Sequence, residues 1–221
     1  MGRTLIPARP DDSHSNFAWS EQHGALLQEC VDGRYRAGLR LCDLALLLVD
    51  ANDRVTEEFC LRGKTLDDGF RFYEERVGKM LARPGEELPH HAVLDGACFN
   101  AMDDMLAKLA SMYGSAAAIL ERIRAKHPSA SPVRCWPHHF DIATLIPLPD
   151  NRSIGLGFLG GDANIPEPYW YVYAVPAPEA TLPPLSVGRW YAGAWAGAVL
   201  TGEHDDVTAE RFLDEAIDAL K

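Results

Sequence analysis

Two kinds of hydrophobic spacing divide the chain, and each predicts its own secondary structure. Between about residues 101 and 126, apolar residues recur at spacings of three and four, which predicts a long amphipathic helix. From Pro132 onward the spacing changes to two, and strands are expected at about 138–147, 153–160, 169–175 and 189–200. A last helix is expected to begin at about Asp205 to Thr208.

The first half of the chain carries shorter signals. Ser20 is a suitable cap for a helix with apolar residues on one side. The apolar run 44–49 and the alternating segment 55–61 flank a turn of Asp and Asn, which predicts a β-hairpin. Thr65 and Asp68 then have the spacing of a capping box, so a further helix is expected to begin there.

These elements predict an α+β fold, because strands and helices do not alternate regularly. We expect one domain over 17–221, in which an antiparallel sheet packs against several helices. The sheet is expected to combine the N-terminal hairpin with a C-terminal meander. Residues 1–16 are polar and contain proline, which predicts a flexible N-terminal arm.

The turn at 147–152 sets the register of the hairpin that follows the long helix. The expected cross-strand pairs are Ile146 with Ile154, Thr144 with Leu156, Ile142 with Phe158, Phe140 with Gly160 and His138 with Asp162. The other face of this hairpin carries Ala143, Gly155 and Gly157. Such small residues suggest the close approach of another element or a ligand.

The same hairpin is expected to bring together two segments, 135–141 and 161–171, that are rich in titratable and aromatic residues. The candidate catalytic residues are His138, Asp141, Asp162 and Glu167. The candidate ligand-binding residues are Trp136, His139, Tyr169 and Tyr171. We expect one mostly apolar cavity with a few fixed polar groups at this end of the hairpin.

Each of these candidates also has a structural interpretation. A histidine opposite Asp162 is a common acid–base unit, but it is also a common structural hydrogen bond. Strict alternation points Asp141 away from His138, so it joins the cavity only if the strand is twisted or bulged. Glu167 lies between two prolines, which stiffen the chain there. This predicts either a pre-oriented acid or a rigid surface turn. The tyrosines of 169–173 suit either sheet packing or a ligand platform.

A metal or a cofactor has no sequence signature in this chain. His138, Asp141, Asp162 and Glu167 could form a mixed site for zinc, manganese or iron, but they lack the spacing of a known metal motif. Phosphate-binding and dinucleotide-binding glycine motifs and a nucleophile elbow are also missing from the sequence. The cofactor is therefore unknown at this point.

Composition narrows the partners. The 221 residues carry a formal net charge of -11 with a pI near 5.1, which argues against a nucleic acid or an anionic membrane as partner. Five scattered cysteines without a CxxC pair, together with a polar beginning, predict reduced thiols and a cytoplasmic location. A small molecule or a second copy of the chain in a homodimer is the expected partner.

The second half resembles an uncharacterised bacterial family that is known only as a domain of unknown function. The resemblance rests on 131–133, on Phe140–Asp141 in a strand, on Gly157–Phe158 and above all on Gly161–Asp162 followed by the Pro-Glu-Pro of 166–168. Trp195 and 198–200 also fit, and the match is best over about 110–220. The chain departs from the family pattern at 144–147, where an arginine-containing segment is usual, and at 159–160, where a tryptophan is usual. The family has no established activity, so the resemblance implies a fold and a site position only.

Two functions therefore stand side by side. The first is a small-molecule enzyme, a hydrolase or an isomerase, in which His138 is the base or a ligand and the carboxylates orient or protonate the substrate. The second is a non-catalytic ligand-binding or protein-interaction module. Convergence of the polar groups on an open cavity would favour the enzyme, whereas carboxylates satisfied by structural hydrogen bonds would favour the module.

Overall fold

The α+β class is confirmed by the computed structural model, which describes residues 1–83, 91–100, 103–178 and 181–221. The described residues form four helices and two antiparallel sheets, of five and six strands, where one sheet was expected. The chain divides into two compact units. The first comprises Met1–Ser111 and Trp136–His138, and the second comprises Met112–Cys135 and His139–Lys221.

The first unit contains the five-stranded sheet in the order of the chain. Its strands are β1 (Ala18–Ser20), β2 (Ala25–Leu27), β3 (Tyr35–Arg40), β4 (Ala45–Asp50) and β5 (Val55–Cys60). Its helices are α1 (Gly2–Leu5) and α2 (Leu66–Val77), with single 3-10 turns at Ser13–Ser15 and Ala92–Asp95. Rings of α2 and β5 pack together, since Phe72 stacks on Phe59 with 5.2 Å between the ring centroids.

The helix predicted after Ser20 is wrong, because this segment forms the hairpin of β1 and β2. Gly24 takes a left-handed conformation with φ of 55°, which turns the chain between Ser20 and Ala25. All three residues of β2 are then buried, as in a core strand. An apolar run as short as β2 fits a strand as well as a helix, so the hydrophobic pattern alone did not distinguish them.

The predicted N-terminal arm has some local structure. It contains α1, and the residues Ile6 and His14 are buried, each 8% exposed. Its flexibility and the domain boundary at residue 17 stay predictions.

The hairpin of β4 and β5 and the capping box are both confirmed. Thr65 Oγ1 accepts from the backbone N–H of Asp68 at 3.2 Å, and Asp68 Oδ2 accepts from the backbone N–H of Thr65 at 2.9 Å. Gly78, in a left-handed conformation, ends α2.

The second unit contains the six-stranded sheet, in the order β10-β11-β9-β8-β7-β6. The strands are β6 (Arg134–Trp136), β7 (Asp141–Pro147), β8 (Ser153–Leu159), β9 (Tyr169–Val175), β10 (Arg189–Ala192) and β11 (Ala196–Thr201). The helices are α3 (Asp103–Lys126), which begins in the first unit, and α4 (Asp206–Leu220). An antiparallel sheet of at least four strands was predicted here, and it is confirmed.

One face of this sheet forms the core with the helices. Its buried residues include Ile142, Ile154, Leu156, Phe158, Trp170, Val172, Ala198 and Leu200. Tyr113 of α3 meets Phe158 edge to face, and α4 contacts β8, β9 and β11. The buried stripe of α4, including Phe212 and Ile217, follows the predicted helical spacing.

The predicted register is confirmed from Ile146–Ile154 to Ile142–Phe158, but it stops there. Residues 137–140 form a turn rather than a strand, and Phe140 has a φ of 55°. The expected strand pairs Phe140–Gly160 and His138–Asp162 are therefore wrong. The strand predicted at 189–200 is also two strands, β10 and β11, joined by a tight turn.

Among residues 1–83, 91–100, 103–178 and 181–221, no helix is long and apolar enough to cross a membrane.

Candidate functional site

A row of tyrosines marks the sheet face opposite the helices. Tyr169, Tyr171 and Tyr173 alternate along β9 with residues of the core, as the period of two requires. The ring centroids of Tyr171 and Tyr173 are 6.0 Å apart and nearly parallel, and those of Tyr169 and Tyr171 are 6.3 Å apart. The row of these three tyrosines is called the tyrosine row below.

The glycines of β8 make room for this row. Gly155 pairs with Tyr173 and Gly157 with Tyr171 across the strands. A Cβ atom on Gly155 would lie 2.6 Å from the Tyr173 hydroxyl oxygen, and one on Gly157 would lie 2.6 Å from that of Tyr171. The small residues on this face of the hairpin were expected to signal a close approach, and the tyrosine rings make it.

Asp141, the first residue of β7, is the carboxylate that contacts the tyrosine row. Its side chain is buried, with 7% of the residue exposed, and it accepts a hydrogen bond from the Tyr171 hydroxyl. Burial and then the charge of Asp141 raise the pKa of Tyr171 well above its usual range. Tyr171 therefore stays protonated and donates to the carboxylate at neutral pH.

The charge of Asp141 reaches several other groups of the second unit. Four further side chains have raised pKa values, with burial as the largest cause and the charge of Asp141 as a smaller one. They are Tyr113, Cys135, Tyr169 and Tyr173. The Tyr113 hydroxyl donates to the backbone carbonyl of Phe140, beside Asp141 in the chain. One carboxylate thus lies among protonated phenols and a thiol that lacks the acidity of a nucleophile.

Asp162 has a different task, because it holds the loop before β9. Its Oδ1 accepts from the backbone N–H groups of Asn164 and Ile165, both at 2.7 Å, and its Oδ2 accepts from the Tyr169 hydroxyl at 2.8 Å. Burial acts to raise the pKa of Asp162, but these hydrogen bonds outweigh it, and the pKa is lowered. All these partners are structural, so we interpret Asp162 as a loop anchor.

The same loop explains the motif at 161–168. Gly161 has a φ of 120°, and a Cβ atom there would lie 2.8 Å from the carbonyl oxygen of Pro166. Only glycine fits such a close approach of the backbone. The Gly-Asp and Pro-Glu-Pro pieces of the motif therefore close one tight loop.

Glu167 is exposed at the tip of this loop. Among the residues the structure describes, its carboxylate makes no hydrogen bond and no ion pair. The exposed position of Glu167 agrees with the rigid surface turn. A role for Glu167 as a pre-oriented acid stays a prediction.

The two predicted histidines fall in different units. His139 belongs to the second unit, where its charge contributes, as a smaller effect, to the lowered pKa of Asp162. His138 and Trp136 belong to the first unit and meet edge to face at 6.3 Å between ring centroids. The structure therefore brings together Asp141, Asp162, His139, Tyr169 and Tyr171, and the roles of the other candidates stay predictions.

Two aromatic residues that were not among the candidate site residues extend the tyrosine row. Trp195 lies in the turn before β11 and meets Tyr171 edge to face at 6.2 Å, and Tyr191 of β10 lies 4.9 Å from Trp195 between centroids. Sequence analysis missed their contact with the row because both residues lie far from β9 in the sequence. The glycines around Trp195 were the one signal of close packing there. A cavity of about 190 Å³ is lined in part by Tyr191 and Gly197, but also by Ala174 and Trp190 of the helix side of the sheet and by Leu220 of α4, and the tyrosine row, Trp195 and Asp141 do not line it.

The predicted mixed metal site gains no support. Within residues 1–83, 91–100, 103–178 and 181–221, no three His, Cys, Asp or Glu side chains are grouped so that they could hold a metal ion. The row offers phenol hydroxyls and ring faces, which suit an organic ligand better than a metal.

Comparison with family models, with curated proteins and with solved structures finds no match for this chain. The resemblance to the uncharacterised bacterial family therefore stays a prediction, and the function has to be argued from the site itself.

Proposed function

We propose that this protein is a binding protein for a small organic cation, and that the tyrosine row with Asp141 is its site. The observation that carries the proposal is the position of one buried carboxylate beside a row of aromatic rings. Aromatic faces attract cations through their quadrupole, and a carboxylate adds the opposite charge.

The chemistry of the neighbours supports a cation over an anion or a metal. The raised pKa values of Tyr169, Tyr171 and Tyr173 keep these phenols neutral, and the acidic groups beside them are the carboxylates of Asp141 at Tyr171 and of Asp162 at Tyr169. The rings of Tyr171, Tyr173 and Trp195 are partly exposed, and they present faces and edges to an approaching ligand. A cation that leaves water is stabilised more strongly there than at a fully exposed site.

The chemical class of the ligand follows from the partly exposed rings and the carboxylate, which together suit a compact cation. An ammonium group with a few methyl groups or a short apolar chain is the matching chemical class.

The test is a calorimetric titration of the whole chain with tetramethylammonium chloride, with tert-butanol as the uncharged control of similar shape. We expect saturable binding of the cation, and binding of the alcohol weaker by about ten-fold or more, which corresponds to about 1.4 kcal/mol. Equal binding of the two compounds, or no saturation by the cation, would overturn the proposal.

Two variants locate the site. Asp141→Asn should weaken cation binding by about ten-fold or more, whereas Glu167→Gln, which removes the same charge from an exposed position of the same unit, should change it less than two-fold. Tyr173→Leu removes a partly exposed ring without touching the buried carboxylate and should weaken binding by about three-fold or more. Equal effects of Asp141→Asn and Glu167→Gln would show that net charge, and not the site, attracts the cation.

A second function is favoured by the hydrogen bond between Tyr171 and Asp141. A protonated phenol beside a carboxylate is a proton donor and acceptor in contact, which is what an isomerase needs at the carbon next to a carbonyl group. The predicted isomerase thus has a candidate pair, whereas the described residues around Asp141 offer a hydrolase no activated nucleophile. Solvent deuterium exchange into cyclopentanone, followed by NMR, tests it. Exchange that Asp141→Asn leaves unchanged would refute this role.

A further inference from the structure

A second cavity lies in the first unit, between β5 and α2. It has a volume of about 240 Å³ and is lined by the rings of Phe59 and Phe72, by the cations Lys64, Arg71 and Arg76 and by two acidic residues. Its lining belongs entirely to one unit, and it shares no residue with the tyrosine row.

The floor of this cavity is aromatic. The rings of Phe59 and Phe72 are stacked with 20° between their planes, and the Arg76 guanidinium lies 4.4 Å above the Phe72 ring. Phe59 is partly exposed, so part of this flat apolar surface faces solvent. A planar ring is the ligand shape that such a floor accommodates.

The two carboxylates of the lining are already engaged. Asp68 accepts from the backbone N–H and the hydroxyl of Thr65, both at 2.9 Å, as part of the capping box. Glu75 pairs with Arg76 at 3.0 Å, and Arg76 also pairs with Glu57 at 2.7 Å. The charge of Arg76 is therefore compensated within the protein.

Two cations of the lining are left with little compensation. Arg71 is 66% exposed at its side chain, and its nearest acidic partner is Asp68 at 3.5 Å. The Lys64 side chain is exposed and has no ion pair within the part of the chain that the structure describes. By contrast, in this chain of net charge -11, an Asp or Glu lies within 3.1 Å of each of Arg40, Arg76, Arg83, Arg122 and Arg124.

From this floor and these charges we propose that the cavity binds a small aromatic carboxylate. The ring packs against the partly exposed Phe59, and the carboxylate accepts hydrogen bonds from Arg71 and Lys64. The volume limits the ligand to about one ring with a short acidic substituent, since it corresponds to roughly eight water molecules at 30 Å³ each. Guanidinium groups suit this anion because their planar donors match a carboxylate.

The test uses sodium benzoate, with benzamide as the uncharged analogue, in NMR saturation-transfer and calorimetric titrations of the full chain. We expect benzoate to bind with saturation and benzamide to bind at least about ten-fold more weakly. Equal binding of the two compounds would remove the role of the cations and overturn the proposal, as would the absence of any saturation by benzoate.

Variants of the exposed cations locate the binding without disturbing the core. Arg71→Gln and Lys64→Gln should each weaken benzoate binding by about three- to ten-fold. Lys79→Gln is the matched control, because it removes one exposed charge from the same unit just beyond α2 and outside the cavity. A loss in Lys79→Gln equal to that in Arg71→Gln would show non-specific attraction and overturn the proposal.

The aromatic floor and the independence of the two sites are tested in turn. Phe59→Leu should weaken benzoate binding while its unfolding transition stays cooperative, and an unchanged affinity would contradict the stacking. Asp141→Asn should leave benzoate binding unchanged, because Asp141 lies in the other unit. This last comparison separates a failure of this site from a failure of the proposed cation site.

Discussion

Gly157 is the position where the structure of the candidate site can be tested most directly. Neither Gly157 nor Gly155 has a positive φ, so alanine fits the backbone conformation at both, and any effect must be steric. A Cβ atom on Gly157 would lie 2.6 Å from the carbonyl oxygen of Ile142 and 2.6 Å from the Tyr171 hydroxyl oxygen. Since a close C···O contact is about 3.3 Å, the strand must shift by about 0.7 Å.

The magnitude follows from three contributions to the free energy of unfolding. Forcing an extra methyl group against the backbone costs about 1–3 kcal/mol. Displacing the Tyr171 hydroxyl weakens its hydrogen bond to the Asp141 carboxylate, which is worth about 1.5–3 kcal/mol. Replacing glycine by alanine returns about 0.4–1 kcal/mol through the unfolded chain. We therefore expect Gly157→Ala to lower the free energy of unfolding by about 3 kcal/mol.

Gly155→Ala is the matched control on the same strand. The three atoms nearest to its Cβ atom would all belong to Tyr173, whose ring is partly exposed and can rotate toward solvent. We expect a loss of about 1 kcal/mol or less. Without the Tyr173 ring the cost should vanish, so Gly155→Ala/Tyr173→Ala should be as stable as Tyr173→Ala alone. Gly157→Ala/Tyr171→Ala should be less stable than Tyr171→Ala alone, because the Ile142 carbonyl remains.

Urea unfolding followed by far-ultraviolet circular dichroism measures these differences, with the slope of the transition checked for two-state behaviour. Equal stability of Gly157→Ala and Gly155→Ala would refute the reasoning. It would mean that the Tyr171 hydroxyl and the Ile142 carbonyl do not both lie against Gly157.

Three further predictions concern titration and capping. The folded pKa of Asp162 is lowered, so its stabilisation is present above the ordinary carboxyl pKa and lost as the pH falls through the folded pKa. Asp162→Ala should therefore cost about 2 kcal/mol in urea unfolding at about pH 7 and much less at about pH 3, and an equal cost at both would contradict the loop anchor. The folded pKa of Tyr171 is raised, so its stabilisation is present below the unfolded pKa of about 10 and lost as the pH rises through the folded pKa. Absorbance at 295 nm should show fewer ionised phenols in the folded wild type above about pH 10 than in urea, and Tyr171→Phe should reduce that difference. Thr65→Ala should cost about 1 kcal/mol, measured by thermal unfolding, whereas Thr56→Ala on the exposed side of β5 should cost less.

Local signals in the sequence determined much of the second unit. The period of two and the turn at 147–152 set the register from Ile146–Ile154 to Ile142–Phe158, because a slip by one residue would move every apolar side chain to the wrong face. The cap of α4 at Asp205 and, in the first unit, the capping box of Thr65 and Asp68 were equally readable, since each is a contact between residues three apart.

Tertiary structure decided the rest. The left-handed conformation of Phe140 stops the ladder before His138, and conformations of this kind leave little trace in a hydrophobic pattern. Whether Asp162 acts in a site or anchors a loop depended on the direction of the Tyr169 hydroxyl and of two backbone N–H groups. Trp195 and Tyr191 join the row only because β11 pairs with β9 and β10 with β11, which is a property of strand order and not of any local segment.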